Sequence, residues 1–358
     1  MITQRRSSIR DILRSEGLDA ILIFGLPNMR YLSGFTGTDG VLLISEEEVV
    51  FLTDSRYQAQ ARSQVCAERI VCYKDKLHAI GEELLRSECK RVGFDADVVS
   101  VALFEELKKK VIKPLEWCPL SKKLQAIRGI KTPDELSALK KAASLNRQAF
   151  ELILPAIQPG ATEKHIALEL EYALKRLGGE ANAFDFIVAS GVRGALPHGV
   201  ASDKQLRSGE LVTIDFGTRV EGYHSDETVT LAIGVIDGKL RQIFDIVLEA
   251  HDSALAAVRP GMQLADLDAV ARDYITAKGY GDFFGHGLGH GVGLEIHEFP
   301  AVSSRSEVSL CEGMVITVEP GIYLPAVGGV RIEDTIVVTS EGYESLTSIP
   351  KEFRQIGV

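Results

Sequence analysis

Three histidines fall within twelve residues of the segment Phe284–Pro300, FGHGLGHGVGLEIHEFP: His286, His290 and His297. The whole chain has eight. Gly285, Gly287, Gly289, Gly291 and Gly293 alternate with them. Glycine at that density sacrifices backbone entropy and has no side chain to bury. Such a run is expected where backbone must come close to something or adopt φ > 0. Clustered imidazoles, followed by Glu298, are groups that bind metal ions or move protons.

Four acids offer a counterpart. Asp215 sits in LVTIDFG and Asp226 in YHSDETVTLAIG, two strand-like stretches. A hairpin centred between Val220 and Glu221 is expected to set them directly opposite each other, with Cβ atoms about 4.5–5.5 Å apart. Glu319 in MVITVEPG and Glu333 in GVRIEDTIVV have their midpoint at Ala326, so a second hairpin is expected to oppose them as well. Like charges so placed repel, and an acid in an apolar strand is costly to desolvate. A cation between them removes both penalties. Four carboxylates carry about −4, which two divalent ions balance. Oxygen-rich donors with one imidazole suit Mn2+ best, with Co2+, Fe2+ or Zn2+ as alternatives, and do not suit a structural zinc. Two such ions about 3.5–4 Å apart would lower the pKa of a shared water and make hydroxide near neutral pH.

The framework that must position these groups is larger than one domain. A length of 358 residues argues for two. Hydrophobic residues are 45% and charged residues 25%, an ordinary globular balance. The net charge of −10 leaves no basic stripe for nucleic acid. Lys108-Lys109-Lys110 reads as one solvated helix face. The N-terminal MITQRRSSIRDILRSEG has no apolar segment behind its arginines, and no apolar run reaches the roughly 18 residues of a membrane span. Five scattered cysteines without a CxxC read as reduced thiols, so a cytoplasmic protein is expected.

Residues 1–122 read as an α/β unit. A helix over about Gln4–Ser15 ends at Gly17 and feeds a buried strand, Ala20–Phe24. Val41–Ile44 and Val49–Leu52 flank a Glu-rich turn and predict a hairpin. Arg56–Val65 looks helical. GFTGTDG does not sit between a strand and a helix with a downstream acid, which rules out a dinucleotide site. The second domain is expected over 123–358. Thr132-Pro-Asp-Glu135 is a capping-box helix start, with the helix running to about Leu154. The chain then repeats itself. Pro159-Gly160 precedes a helix over about Glu163–Leu177, and Pro260-Gly261 precedes another over Leu264–Ala277. Val212-Thr-Ile-Asp-Phe-Gly217 matches Ile316-Thr-Val-Glu-Pro-Gly321. Two similar halves facing each other across a cleft are expected. HExxH, GxSxG and cysteine-nucleophile patterns are absent.

The run Ile214-Asp-Phe-Gly, Ser225-Asp226, HGLGHGVGLEIHE, VEPGIY and VRIED resembles the metallopeptidase family that holds methionine aminopeptidase, aminopeptidase P and prolidase. The resemblance spans about residues 130–345. It implies an α/β N-terminal domain followed by an α+β pita-bread catalytic domain, with two pseudo-symmetric halves around a dinuclear metal site. Residues 1–122 look like the N-terminal domain of aminopeptidase P, prolidase and creatinase, which methionine aminopeptidases usually lack. Creatinase shares the fold without the metal carboxylates found here.

Carried across residue by residue, the resemblance implies Asp215, Asp226, His290, Glu319 and Glu333 as metal ligands. His290 is selected over His286 because the family's ligand histidine lies seven residues before the His of the His-acid pair. His198 in LPHGVASD, His286 and His297 would line the substrate site and shuttle a proton. Tyr323 would line it too, Arg331 would stand behind Glu333, and Glu319 would double as general base. Many relatives read SDxTRT where this chain reads Ser225-Asp-Glu-Thr-Val-Thr230, so Val229 replaces an arginine and any local arginine role is in doubt. The implied activity is removal of the N-terminal residue from peptides with proline second, with a homodimer as a family expectation. A Xaa-Pro dipeptidase is the nearer alternative, needing a positive group for the substrate's C-terminal carboxylate. A catalytically dead peptide-binding module is the remoter one.

Overall fold

The computed structural model describes residues 2–357. The chain divides into two compact units, one up to Arg128 and one from Gly129 onward. The sequence boundary at 122/123 lies just before the last short helix of the first unit.

The first unit runs α1 (Ile2–Glu16), β1 (Ala20–Ile23), α2 (Leu26–Ser33), β2 (Val41–Ser45), β3 (Val49–Asp54), α3 (Gln58–Gln64), β4 (Arg69–Tyr73), α4 (Lys76–Arg86), β5 (Arg91–Phe94), α5 (Val101–Lys110), β6 (Glu116–Pro119) and α6 (Lys123–Ala126). One six-stranded mixed sheet has the order β4-β3-β2-β1-β5-β6. The two apolar runs around the glutamates pair as an antiparallel hairpin, Ile44 opposite Val49. Helix α2 forms in a stretch the sequence left unassigned. Pro27 lies in its first turn, and Gly34 at φ +84° ends it. The core gathers Leu22, Leu43, Val50, Ile80, Leu84 and Val92.

The second unit continues with α7 (Pro133–Ile153), α8 (Glu163–Arg176), β7 (Ile187–Ser190), β8 (Glu210–Phe216), β9 (Arg219–Val220), β10 (Tyr223–His224), β11 (Glu227–Ile233), α9 (Gly238–Ala257) and α10 (Leu264–Ala277). Then follow β12 (Gly289–Gly291), β13 (Glu298–Val302), β14 (Val315–Val318), β15 (Gly321–Leu324), β16 (Gly328–Arg331), β17 (Asp334–Val338), β18 (Tyr343–Ser345) and β19 (Gln355–Ile356). The Thr132 amide donates to Glu135 Oε2 at 2.9 Å where α7 begins. The repeat is visible in space. Each half has a long helix, a Pro-Gly turn, a second helix and a mainly antiparallel sheet. Gly160 and Gly261 hold matching φ values of +91° and +84°.

Each half also has its own core. The first packs Phe150, Ile166, Leu170, Ile214 and Phe216. The second packs Phe244, Val247, Leu267, Ile316 and Ile336. Val229, where relatives carry arginine, is buried in the first core. Strand alternation turns it away from the face used by Thr228 and Thr230. The halves are stitched where β11 meets β16 and β17. Thr230 Oγ1 donates to Arg331 O at 2.8 Å, and Thr335 Oγ1 donates to Asp226 O at 2.7 Å.

Candidate metal centre

The first hairpin corrects the register expected from sequence. Val220 pairs with Tyr223 and Asp215 with Thr228. The turn is Glu221-Gly222, with φ of +52° and +79° at its two central residues. Both signs are positive, as a two-residue turn of the primed type requires. The hairpin centre therefore lies one residue later than expected, and the register moves by two. Asp226 is not opposite Asp215. It stays on the same face, because a shift of two preserves the face, but it stands where β10 gives way to β11.

In the second hairpin Gly321 pairs with Arg331 and Val318 with Asp334, a register symmetric about Ala326. Glu319 and Glu333 fall opposite each other in the gap between those ladders. Thr228 is thus the first-half counterpart of Glu333: the second of the two expected acid pairs forms, and the first does not.

His290 reaches this place on β12. Its amide accepts no slack: it donates to Thr317 Oγ1 at 3.0 Å. Its neighbours are glycine because of crowding rather than positive φ. A Cβ on Gly289 would lie 2.1 Å from Thr317 O, and one on Gly291 would lie 2.3 Å from Phe299 O. His290 Nε2 stands 3.3 Å from Glu319 Oε1 and 3.6 Å from Asp226 Oδ2. Asp226, His290 and Glu333 each offer an atom within 4.8 Å of the others'. Asp215 is held by Arg331 Nη2 at 2.5 Å through Oδ2, while its buried Oδ1 has no hydrogen-bond partner.

The electrostatics are those of a site short of positive charge. Burial, then the charges of Glu333, Asp215 and Glu319, pushes the Asp226 carboxyl well above its usual range. Burial, then Glu319 and Asp215, does the same to Glu333. Glu319 is raised by burial. Burial lowers the imidazoles of His286, His290 and His297, which favours their neutral, donor-ready form. Four acids beside a single guanidinium, with one carboxylate oxygen orphaned, fit a multivalent cation bound by oxygen and one nitrogen.

A cavity of about 420 Å³ opens onto these groups. His198, Asp215, Asp226, His286, His290, His297, Glu319, Arg331 and Glu333 all lie in its lining. Tyr323 is not in the lining. Its hydroxyl sits behind, 2.9 Å from His286 Nε2 and accepting from Arg331 Nη1 at 3.0 Å. Arg331 also donates to Pro197 O at 3.1 Å and from Nε to Thr228 Oγ1 at 3.2 Å. His290 and His297 meet edge to face, with ring centroids 4.3 Å apart. The rest of the wall is largely apolar, with Phe184, Ile187, Pro197, Val200 and Ile296. Thr228 and this wall escaped the sequence reading. The wall residues are scattered over separate segments, and Thr228 looks like an ordinary strand threonine until the register is known.

Residues 137–340 match the metallopeptidase family M24, and residues 5–130 match the creatinase/prolidase N-terminal domain. The chain is 43% identical to an uncharacterized peptidase of Bacillus subtilis, YqhT, over 96% of this chain and 98% of that one. A solved Xaa-Pro dipeptidase from Bacillus anthracis superposes with a TM-score of 0.96 at 42% identity, covering 99% of this chain and all of that one. An X-Pro aminopeptidase from Thermotoga maritima gives 0.88 at 38%, covering 96% and 100%. Likeness of this extent carries the architecture: an α/β N-terminal domain and an α+β pita-bread catalytic domain of two pseudo-symmetric halves.

Proposed function

We propose, for a chain that belongs to the metallopeptidase family M24, that it removes the N-terminal residue from peptides with proline in the second position, using two divalent metal ions. Asp215, Asp226, His290, Glu319 and Glu333 would hold the ions, with Mn2+ as the expected metal. Bound there, the ions would supply an activated water nucleophile and a Lewis acid for the scissile carbonyl.

The chain's own groups do the rest. Glu319 would take the proton of the attacking water. His198 and His297, both exposed on the cavity wall, would donate hydrogen bonds to the peptide. His286, held by Tyr323, would carry a proton toward the leaving nitrogen. Arg331 fixes Asp215 and Tyr323 together. The apolar wall of Phe184, Ile187, Pro197, Val200 and Ile296 offers the surface a proline ring and its neighbour need.

One observation favours the aminopeptidase over the dipeptidase. Among the described residues lining the cavity, Arg331 is the sole guanidinium or ammonium, and it is committed to Asp215. A site built for dipeptides needs a cation free for the C-terminal carboxylate. The dipeptidase reading stands second, favoured by the naming of the Bacillus anthracis structure. The test is hydrolysis of a Xaa-Pro dipeptide and a Xaa-Pro-Yaa tripeptide by Mn2+-loaded protein, with Asp226→Ala alongside. Cleavage of the tripeptide, lost in the variant, is the expected result. Cleavage of the dipeptide alone would replace it with the second reading, and cleavage of neither would end the proline assignment.

A further inference from the structure

Behind the ligand cluster lies a second set of acids that peptide hydrolysis leaves unused. Asp226 and Glu333 are each followed by another acid and a threonine, as Asp226-Glu227-Thr228 and Glu333-Asp334-Thr335. Neighbours along a strand take opposite faces. Asp226 and Glu333 line the cavity, whereas Glu227 and Asp334 do not and are almost wholly buried. Both meet one cation. Lys351 Nζ is 2.7 Å from Glu227 Oε1 and 3.4 Å from Asp334 Oδ1, with its side chain only 8% exposed.

The segment carrying Lys351 crosses from one half to the other. It leaves β18, which pairs with β17 of the second half. Thr347 Oγ1 donates to Asp334 Oδ1 at 2.5 Å, and the Ile349 amide donates to Glu227 Oε1 at 2.9 Å. It ends in β19, which runs parallel to β11 of the first half. A buried ion triad is a poor way to gain stability, since well-packed apolar side chains commonly serve as well or better. Its place, one residue behind an acid from each half, gives it another use.

We propose that Lys351 is a positioning residue for the metal centre: by holding Glu227 and Asp334 together it fixes the spacing of Asp226 and Glu333, and so sets the affinity for divalent ions. This rests on the reading of Asp226 and Glu333 as ligands. Groups that orient ligands from behind typically change metal affinity by about 10–100-fold when removed.

The test uses the full chain, stripped of metal by chelator. Mn2+ is titrated calorimetrically into wild type, Lys351→Met and Lys351→Arg, Co2+ binding is followed by its visible absorption, and the stripped proteins are melted. The expected result is Mn2+ binding weakened about tenfold or more in Lys351→Met, an altered Co2+ spectrum, and recovery of most of the affinity in Lys351→Arg. A lower melting temperature with wild-type affinity and spectrum would assign Lys351 to stability alone and overturn the proposal. Should Lys351→Met fail to fold, Glu227→Gln keeps an acceptor for the Ile349 amide and removes the charge, and unchanged metal affinity there overturns the proposal equally. A wild-type protein that binds neither ion overturns the ligand reading, and with it this one, whereas wild-type binding with unaffected variants overturns this one only.

Discussion

Thr228 donates its hydroxyl to Glu333 Oε2 at 2.6 Å, a bond that runs from the hairpin of one half to that of the other. The two residues hold equivalent positions, Thr228 opposite Asp215 and Glu333 opposite the gap residue Glu319. The pseudo-twofold relation thus brings a neutral donor against an acid, where strict symmetry would set two acids face to face. The same hydroxyl accepts from Arg331 Nε, so it links the guanidinium that holds Asp215 to a second acid.

Thr228→Val keeps the shape and deletes the hydroxyl. Glu333 then loses a buried donor, a cost of about 1–3 kcal/mol. The expected outcome is a folded protein whose Mn2+ affinity falls about tenfold, read by titration of the stripped protein. Wild-type affinity in the variant would show that the hydroxyl does not orient Glu333.

Asp226→Asn separates function from stability. The carboxyl lies in a buried cluster of acids, and burial and those charges resist its ionisation. Without metal, the neutral amide should relieve repulsion, so the stripped variant is expected to melt a few degrees above stripped wild type. With Mn2+ at about a hundred times Kd, wild type should gain about 3 kcal/mol by mass action, while the variant gains little and loses peptidase activity. Calorimetric melts with and without Mn2+ decide it. A stripped variant melting below wild type would contradict the charge argument.

Much of this was legible because it is local. The helix starts at Pro133 and Glu163 carry their own signals, and the second hairpin could be centred on Ala326 by counting. The first hairpin centres one residue later than its sequence spacing predicts. Nothing in RVEGYH marks Glu221 as a residue willing to take φ > 0 beside Gly222. Other features depend on partners far along the chain. Nothing in the local sequence marks Lys351, because its partners Glu227 and Asp334 lie on other segments. The apolar wall draws Phe184 and Ile296 from different halves, which no local pattern connects.

The glycine run yields a contrast between two adjacent-looking positions. A Cβ on Gly289 would meet Thr317 O at 2.1 Å, a backbone atom of β14 that cannot yield without disturbing the pairing of β12. Gly285 has nothing within 4 Å. Gly289→Ala is therefore expected to displace His290 and lower activity by more than a hundredfold, with a clear fall in melting temperature. Gly285→Ala should be neutral or gain about 0.4–1 kcal/mol from a stiffer unfolded chain. Equal effects at the two positions would mean that flexibility, rather than close approach, is why the run is glycine-rich.

The first unit offers a pH test of its own. Asp95 accepts from the Phe24 amide at 2.9 Å and the Gly25 amide at 2.6 Å, where β1 leads into α2. Burial pushes its carboxyl up to about 6, against the pull of those amides. The folded state therefore binds this proton more tightly than the unfolded chain, whose Asp titrates near 3.9. The stabilising effect of protonation is fully present below that value and is lost as pH rises through about 4 to 6. Above pH 6 the charged form costs the fold about 3 kcal/mol, the shift of about two pH units at 1.36 kcal/mol each. Asp95→Asn retains an oxygen acceptor and cannot ionise, so it should match wild type near pH 4 and exceed it in stability at pH 7.5. Urea unfolding at the two pH values, followed by the fluorescence of Trp117, the single tryptophan and a residue of this unit, measures the difference. Wild type more stable than the variant at pH 7.5 would mean that the amide hydrogen bonds to the carboxylate outweigh its burial.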